Sequence, residues 1–455
     1  MAPALAPTIE DAAAILRRFP SVSTSGAVDS VTDLAIRIED RLGALEVGAR
    51  VEIETVGGGL AAEVVGVSRG AALCLPFGPV SGVRRGARVA FNQASAAISP
   101  SNAWLGRVVD GFGRPVDGKG PIASGSTPRD LRASPPPAAL RERLGAPVDF
   151  GVKALDAFCP ARVGQRLGIF SGSGVGKSAL LAMIARNTSC DVTVIALIGE
   201  RGREVREFIE DYLGPEGLAR SVVIVATSDE PAMMRREASY LAMTVGEYFR
   251  DRGQHVLCLM DSLTRVAAAQ REIGLAAGEP PTAKGYTPSV FSLLPKLLER
   301  AGAGIAGSGA VTGVFTVLVE GDDHDEPIAD AARAILDGHI VLDRRIAERG
   351  RFPAVDILKS VSRSMNCAAP GALQEASRKA RSLASVFEDM REMIRIGAYR
   401  AGANAEVDRA IAFNTRLEEF LSQERSACVG AAQSARGLID ILTQTERGES
   451  GAADR

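Results

Sequence analysis

Residues 166–178, RLGIFSGSGVGKS, constrain the fold of this chain more than any other stretch. A short apolar strand runs into a glycine-rich turn, then Lys-Ser, then the helical run ALLAMIAR. Gly172, Gly174 and Gly176 let the backbone turn sharply. The N–H groups of Gly172, Ser173, Gly174, Val175 and Gly176 can then point into one concavity, at the positive end of the helix that Lys177, Ser178 and Ala179 open. Such a concavity suits phosphate. Lys177 can reach β- and γ-phosphates, and Ser178 can ligate Mg²⁺. The pattern G-x-x-x-x-G-K-[ST] is one residue short, because Ser171 stands at its first glycine. The stretch implies a nucleoside triphosphate site.

Beyond residue 150, apolar strands at 166–170, 192–198, 222–226, 256–260 and 314–319 alternate with helical patterns at 177–187, 202–213, 231–251 and 288–301. Near-continuous apolar strands separated by helices predict a parallel sheet covered on both faces. From 370 to 446 the pattern is helical throughout, and the tail GESGAADR reads as disordered. Upstream the texture differs. Residues 28–95 carry short alternating runs broken by glycine turns such as VGGG at 56–59, the spacing of a small antiparallel barrel or sandwich. Residues 105–120, LGRVVDGFGRPVDGKG, repeat a Val-Asp-Gly turn and read as a linker that wraps rather than packs. Residues 8–18, TIEDAAAILRR, form a short helix with Thr8 as cap. As a reading of the sequence only, that helix suits either docking on its own domain or a detachable hook for a partner.

Two further carboxylates belong with the glycine loop. VLCLMD at 256–261 is a buried strand ending in Asp261, where an acid beside the loop can hold Mg²⁺ through water. Asp261 could equally cap the helix SLTRVAAAQ. GERGREV at 199–205 follows the strand VTVIALI, so Glu200 projects from a strand end. A carboxylate there can orient the water that attacks a γ-phosphate, although a solvated charge cluster fits the spacing as well.

Charge and cysteine usage exclude other classes. A formal net charge of −2 leaves no whole-chain footprint for nucleic acid or anionic membrane, so no nucleic acid partner is expected. The six cysteines contain no C-x-x-C pair, which argues against a zinc site and fits a reducing compartment. With no basic-then-apolar leader and no apolar run long enough to span a bilayer, the expected location is cytoplasmic.

Ordered matches extend over about 105–425: LGRVVDGFGRPVDGKGP, SGSGVGKSALL, LIGERGREVREFIE, AMTVGEYFRD, MDSLTRVAAAQREIGLAAGEPP, KGYTPSVFSLLPKLLERAG, EGDDHDEPIADAARAILDGHIVLDRR, and PAVDILKSVS at 353–362. With these the chain resembles the rotary ATP synthase α/β subunit family. GEPPTAKGYTPSVFSLLPKLLERAG and MIRIGAYRAG at 393–402 favour a type III export ATPase of that family over an ATP synthase subunit, and the overall resemblance is to the flagellar kind. It implies an α/β fold with an N-terminal antiparallel β-barrel, a central P-loop (RecA-like) parallel-sheet domain and a C-terminal helical domain. The expected boundaries are 1–20 for a partner-binding segment, 21–97, 98–368 and 369–455. By the same resemblance, Lys177 and Ser178 match the loop lysine and hydroxyl, Glu200 the water-activating carboxylate with Arg201 beside it, and Asp261 the Mg²⁺-linked acid. Arg235, in EPAMMRRE, resembles an arginine near the γ-phosphate. Arg363, in SVSR, matches the arginine finger offered to a neighbouring subunit. Phe352 stands where the family stacks an aromatic on adenine.

The implied activity is hydrolysis of ATP with Mg²⁺ by a homohexameric ring that assists flagellar protein export. The implied partners are a regulator on the N-terminal segment, a central stalk protein, a membrane export gate, and export chaperones and substrates. The ring would sit at the inner-membrane export apparatus. Three alternatives stay open: the same enzyme in a virulence injectisome, a silent nucleotide-binding ring subunit, and a nucleic-acid translocase. The chain departs from the synthase in lacking the acidic lever motif before its C-terminal helices.

Overall fold

The computed structural model describes residues 24–92, 96–319 and 326–453. The expected terminal helix at 8–18, with its cap Thr8, lies outside these residues. The chain divides into two compact units, Met1–Ala96 and Ala97–Arg455.

In the first unit six strands close into a barrel: Ser25–Val31 (β1), Ile36–Glu39 (β2), Arg50–Thr55 (β3), Gly58–Ser68 (β4), Ala71–Pro76 (β5) and Arg88–Asn92 (β6), in the order β1-β2-β5-β4-β3-β6. Alternation drives closure. Ile36 and Ile38 face inward with Arg37 between them, as do Val51 and Ile53 around Glu52. Closing the sheet removes exposed strand edges. The sequence left barrel and sandwich open, and the closed ladder decides for the barrel.

The second unit is built on one sheet. Its strands are Arg107–Val109 (β7), Arg166–Ser171 (β8), Val192–Ile198 (β9), Ser221–Ala226 (β10), His255–Asp261 (β11), Ala310–Leu318 (β12), Gly338–Leu342 (β13) and Val355–Ser362 (β14), in the order β14-β13-β8-β12-β11-β9-β10-β7. Neighbours along this path are parallel except β13 and β14. All seven residues of β9 are buried, as continuous apolar strands require when helices cover both faces. Those helices include Lys177–Asn187 (α1), Gly202–Glu207 (α2), Ala232–Arg250 (α3), Leu263–Ala276 (α4) and Pro288–Leu298 (α5). Gly371–Arg395 (α6), Ala405–Leu421 (α7) and Ala431–Ala453 (α8) follow, and Leu373, Phe413 and Leu438 join the same apolar cluster as Ile169 and Ile195 of the sheet.

Two sequence expectations change here. Residues 105–120 do pack: β7 pairs with β10 at the sheet edge. Asp110 accepts from the N–H groups of Phe112 and Arg114, which turns the chain back. Asp117 then binds the Arg107 guanidinium at 2.7 and 2.9 Å and the Val108 N–H at 3.1 Å. The tail GESGAADR is helical as far as Ala453, because extending a formed helix costs less than nucleating one.

A buried charge ties the layers together. Arg300 is 2% exposed and donates to both Glu247 carboxylate oxygens at 2.8 and 2.7 Å, to Thr244 Oγ1 at 2.8 Å and to the Leu131 carbonyl at 2.6 Å. Arg300→Leu strands the Glu247 carboxylate in the core, so a loss of about 3–5 kcal/mol is expected by denaturant titration. Adding Glu247→Met removes the stranded charge and should recover most of that loss. A double variant no more stable than the single would refute this account.

Candidate active site

The loop at 171–178 leaves the C-terminal end of β8, near the middle of the sheet. Gly174 and Gly176 have φ of 76° and 90°, a backbone that residues with a Cβ rarely adopt. Gly176 is the N-cap of α1, so Lys177 and Ser178 form its first turn, where unpaired N–H groups face outward. Val175 is buried in the core and pins the loop from below. The cleft above holds about 690 Å³ and is lined by Gly172, Ser173, Gly174, Gly176, Lys177, Ser178 and Ala179, with Glu200 and Arg201 opposite.

Three charges converge at its floor. Lys177 Nζ lies 3.3 Å from Glu200 Oε1 and in direct contact with Asp261 Oδ1. Glu200 follows the end of β9 and Asp261 ends β11, so the parallel register brings both carboxylates to the level of the loop. Burial opposes the Lys177 charge, but the two carboxylates outweigh it and hold the ammonium above the usual lysine pKa. Burial pushes Glu200 upward; Lys177 pulls it down and Asp261 pushes it up again, leaving it above the usual glutamate value. A carboxyl raised in this way is a stronger base toward water once ionised.

Asp261 does not cap the helix that follows it. Ser262 does, accepting from the Arg265 N–H at 3.3 Å. Asp261 is free for the site because Thr316 Oγ1, on the intervening strand β12, donates to its Oδ1 at 2.7 Å. Thr316 was missed in the sequence. Its one signal is a polar residue inside the apolar run TGVFTVL, and it is fully buried. Arg344 was missed too; its Nη2 donates to the Ser173 carbonyl at 3.1 Å and steadies the loop.

Phe352 meets the loop from outside: a Cβ added to Gly176 would lie 3.3 Å from its ring. It is 44% exposed, leaving a face for a planar ligand. Arg201 lines the cleft but points to solvent, its nearest acidic partner being Glu204 at 3.7 Å. Arg235 is a correction. Rather than facing the loop, it donates to Glu272 Oε2 at 2.7 Å and to the Glu230 carbonyl at 3.1 Å, because its place at the start of α3 puts it against α4. Arg363 lies at the far end of the sheet. Its N–H bonds the Asp337 carbonyl at 3.0 Å, and Asp337 in turn binds Arg166, the first residue of β8. The loop begins after the last residue of that strand, five steps of about 3.3 Å away.

The donor set fits a hard divalent cation. Ser178 and Asp261 offer oxygen, and Mg²⁺ takes few protein ligands when phosphates and water supply the rest. Among the described residues no group of three or more His, Cys, Asp or Glu could hold a metal ion unaided, so the ion fits as part of a nucleotide complex.

A loop that cups phosphate, with a lysine and two strand-end carboxylates beneath it, is the working arrangement of the phosphate-loop nucleotide hydrolases. Residues 151–362 match the ATP synthase alpha/beta family, nucleotide-binding domain; residues 34–92 match that family's beta-barrel domain; residues 370–440 match the T3SS EscN ATPase C-terminal domain. The flagellum-specific ATP synthase of Caulobacter vibrioides is 54% identical, over 95% of this chain and 99% of its own length. The assembled ATPase EscN from the type III secretion system of enteropathogenic E. coli is 40% identical with a TM-score of 0.86, covering 92% of this chain and all of that one. EscN in complex with its central stalk EscO gives 39% and 0.84 over the same shares. The chain belongs to the ATP synthase alpha/beta family, in the branch of type III secretion ATPases, and it is an ATP-binding hydrolase.

Proposed function

We propose that the protein hydrolyses Mg²⁺-ATP in a ring of identical subunits that serves flagellar type III export. One observation carries the ring: the Arg363 backbone stands at the opposite end of the sheet from its own loop, so Arg363 can complete a site only in a neighbouring subunit. The assembled relative supports this, and closed heterologous contacts suit it.

In the proposed cycle the loop amides and Lys177 hold the β- and γ-phosphates. Ser178 and, through water, Asp261 would hold Mg²⁺, which would supply positive charge to the phosphates. Phosphate oxygens take over the Lys177 ammonium, which leaves Glu200 to accept a proton from the attacking water. Arg363 of the next subunit meets charge developing on the phosphoryl group, and Phe352 stacks on the adenine. Arg201 shapes the mouth beside Glu200.

The partners proposed are a central stalk, as in the EscN–EscO complex, together with a regulator on residues 1–20, export chaperones and substrates, and a membrane export gate. We assign residues 21–97 to the β-barrel domain, 98–368 to the ATPase domain and 369–455 to the helical domain. Among the described residues no helix is long and apolar enough to cross a membrane, so attachment to the inner-membrane apparatus would run through partners. The flagellar assignment rests on 54% identity over nearly the whole chain with a flagellum-specific relative, against 49% over 80% of the chain with the type 3 secretion system ATPase of Xanthomonas euvesicatoria and 40% with EscN. Co-purification with injectisome components instead of flagellar ones would overturn it.

The test of the ring is ATP turnover per protomer across a wide range of protein concentration. A steep rise is expected, together with a shift to a larger species on sizing. A flat rate from a species that stays monomeric would refute a site completed between subunits.

A further inference from the structure

The end of the sheet away from the phosphate loop holds a buried polar cluster that the chemistry above leaves unused. At its centre is Gln165, the residue before β8, which is fully buried. Both ends of its side-chain amide are satisfied. Oε1 accepts from the Arg162 N–H at 2.9 Å, while Nε2 donates to the Asp337 carbonyl at 3.3 Å and to Ser362 Oγ at 3.2 Å. The Gln165 backbone is fixed as well: its N–H donates to the Arg162 carbonyl at 2.9 Å, and its carbonyl accepts from the Gly313 N–H at 3.0 Å.

Both partners of that Nε2 adjoin Arg363. The Asp337 carbonyl also accepts the Arg363 N–H, at 3.0 Å. Ser362, the residue before Arg363, donates its hydroxyl to the Pro160 carbonyl at 2.7 Å and accepts from the Ser364 N–H at 3.3 Å. A Cβ added to Gly338 would lie 2.6 Å from the Val361 carbonyl oxygen, so β13 and β14 approach closely here. One buried amide thus joins three segments, 160–165, 337 and 362–363, at the point where the chain leaves β14. An amide out of water is costly unless its hydrogen bonds are met, so this one holds its partners in a narrow geometry. An apolar side chain of similar length would fill the space without fixing the direction in which Arg363 leaves the sheet.

We infer that Gln165 is a positioning residue for Arg363: it sets the backbone from which Arg363 reaches the neighbouring subunit's site. The inference rests on the role proposed above for Arg363. The length of β8 separates Gln165 from the phosphate loop of its own subunit, so it acts through the arginine and touches no phosphate. Arg363 is exposed and long, and a small rotation of its backbone swings the guanidinium through a larger arc. Displacing a group that meets the transition state by about 1 Å can cost on the order of 10²-fold in rate. No motif singled out this residue, because a lone glutamine before an apolar strand has no periodicity to mark it.

The test uses the full-length chain at a protein concentration where the ring has formed. Gln165→Met keeps the volume and loses the hydrogen bonds; Ser362→Ala removes only one acceptor of the amide. The kcat should fall by about 10²-fold in the first and by less in the second, with ATP binding within a few-fold of wild type. Added to Arg363→Ala, Gln165→Met should cost no more than about twofold further, because the group it aims is already gone. Mixed rings locate the defect. Gln165→Met subunits keep their own Glu200 and loop, so mixing with Glu200→Gln subunits, whose arginine is intact, should restore part of the activity. Mixing with Arg363→Ala subunits should restore none. Damage passed along β8 to the loop of the same subunit gives the reverse pattern and would overturn the inference, as would additive losses in the double variant. If Gln165→Met fails to join rings on sizing, the same mixtures with Ser362→Ala decide. Wild-type turnover in the Gln165 and Ser362 variants beside an idle Arg363→Ala would overturn this inference alone. Wild-type turnover in Arg363→Ala would remove the reading of Arg363 in the neighbour's site and the inference with it.

Discussion

Turnover of the Glu200→Gln variant is expected to fall by roughly 10²–10⁴-fold, the usual contribution of a positioned general base. Glutamine keeps the shape and still offers an oxygen to water, but it cannot take the proton. Glu200 is 15% exposed and sits 3.3 Å from Lys177, so no bulk water or neighbouring carboxylate replaces it easily. ATP affinity should change little, because loop amides and Lys177 carry the phosphates. The variant should therefore trap ATP, which a filter-binding measurement detects. The same residue governs the pH profile. Burial and Asp261 raise its pKa, and the base works only when ionised. The wild-type rate should thus fall as pH drops through a value above the usual glutamate range, and the glutamine variant should lack that limb. Turnover within a few-fold of wild type would remove Glu200 from the mechanism and favour the silent-subunit reading.

Arg363→Ala should cost roughly 10³–10⁵-fold in turnover, the range for a missing arginine finger. Nothing in its own subunit predicts this. Arg363 is exposed, and its backbone N–H bonds Asp337 beside Arg166, five strand residues from its own loop. Arg363→Lys should not recover the loss, since a point charge cannot reproduce the fork that grips phosphate oxygens. Mixing decides the geometry. Glu200→Gln subunits still carry the arginine, and Arg363→Ala subunits still carry the base. Rings assembled from both should contain some complete sites and regain part of the activity that neither homogeneous ring has. Mixtures with no more activity than their components, in rings shown to be mixed, would place the arginine outside the site.

Much of this was legible in the chain itself. A glycine loop between an apolar strand and a helix has few folded solutions, because backbone N–H groups so displayed need an anion. Lys177 and Ser178 could be placed on that ground alone. The strands at 166–170, 192–198 and 256–260 were readable as continuous apolar runs, and their ends then located Glu200 and Asp261. The strands at 338–342 and 355–362 were not read: GHIVL is only five residues long, and VDILKSVS, at the sheet edge, is interrupted by Asp356 and Lys359. β7 was hidden by the turn residues Asp110 and Asp117, whose side chains hold the strand in place while giving it the texture of a linker.

Local pattern determined what each segment is, since periodicity and turn chemistry act over a few residues. The strand order was a different matter. That β12 lies between β8 and β11 brings Thr316 onto Asp261, and that α3 packs on α4 turns Arg235 towards Glu272. Neither contact leaves a mark in spacing, because the partners are 55 and 37 residues apart. The sequence by itself determined the phosphate-binding loop, the parallel sheet and the two carboxylates. Only tertiary structure decided which way the arginines turn, because long flexible side chains take their direction from the charges and rings that folding brings near them.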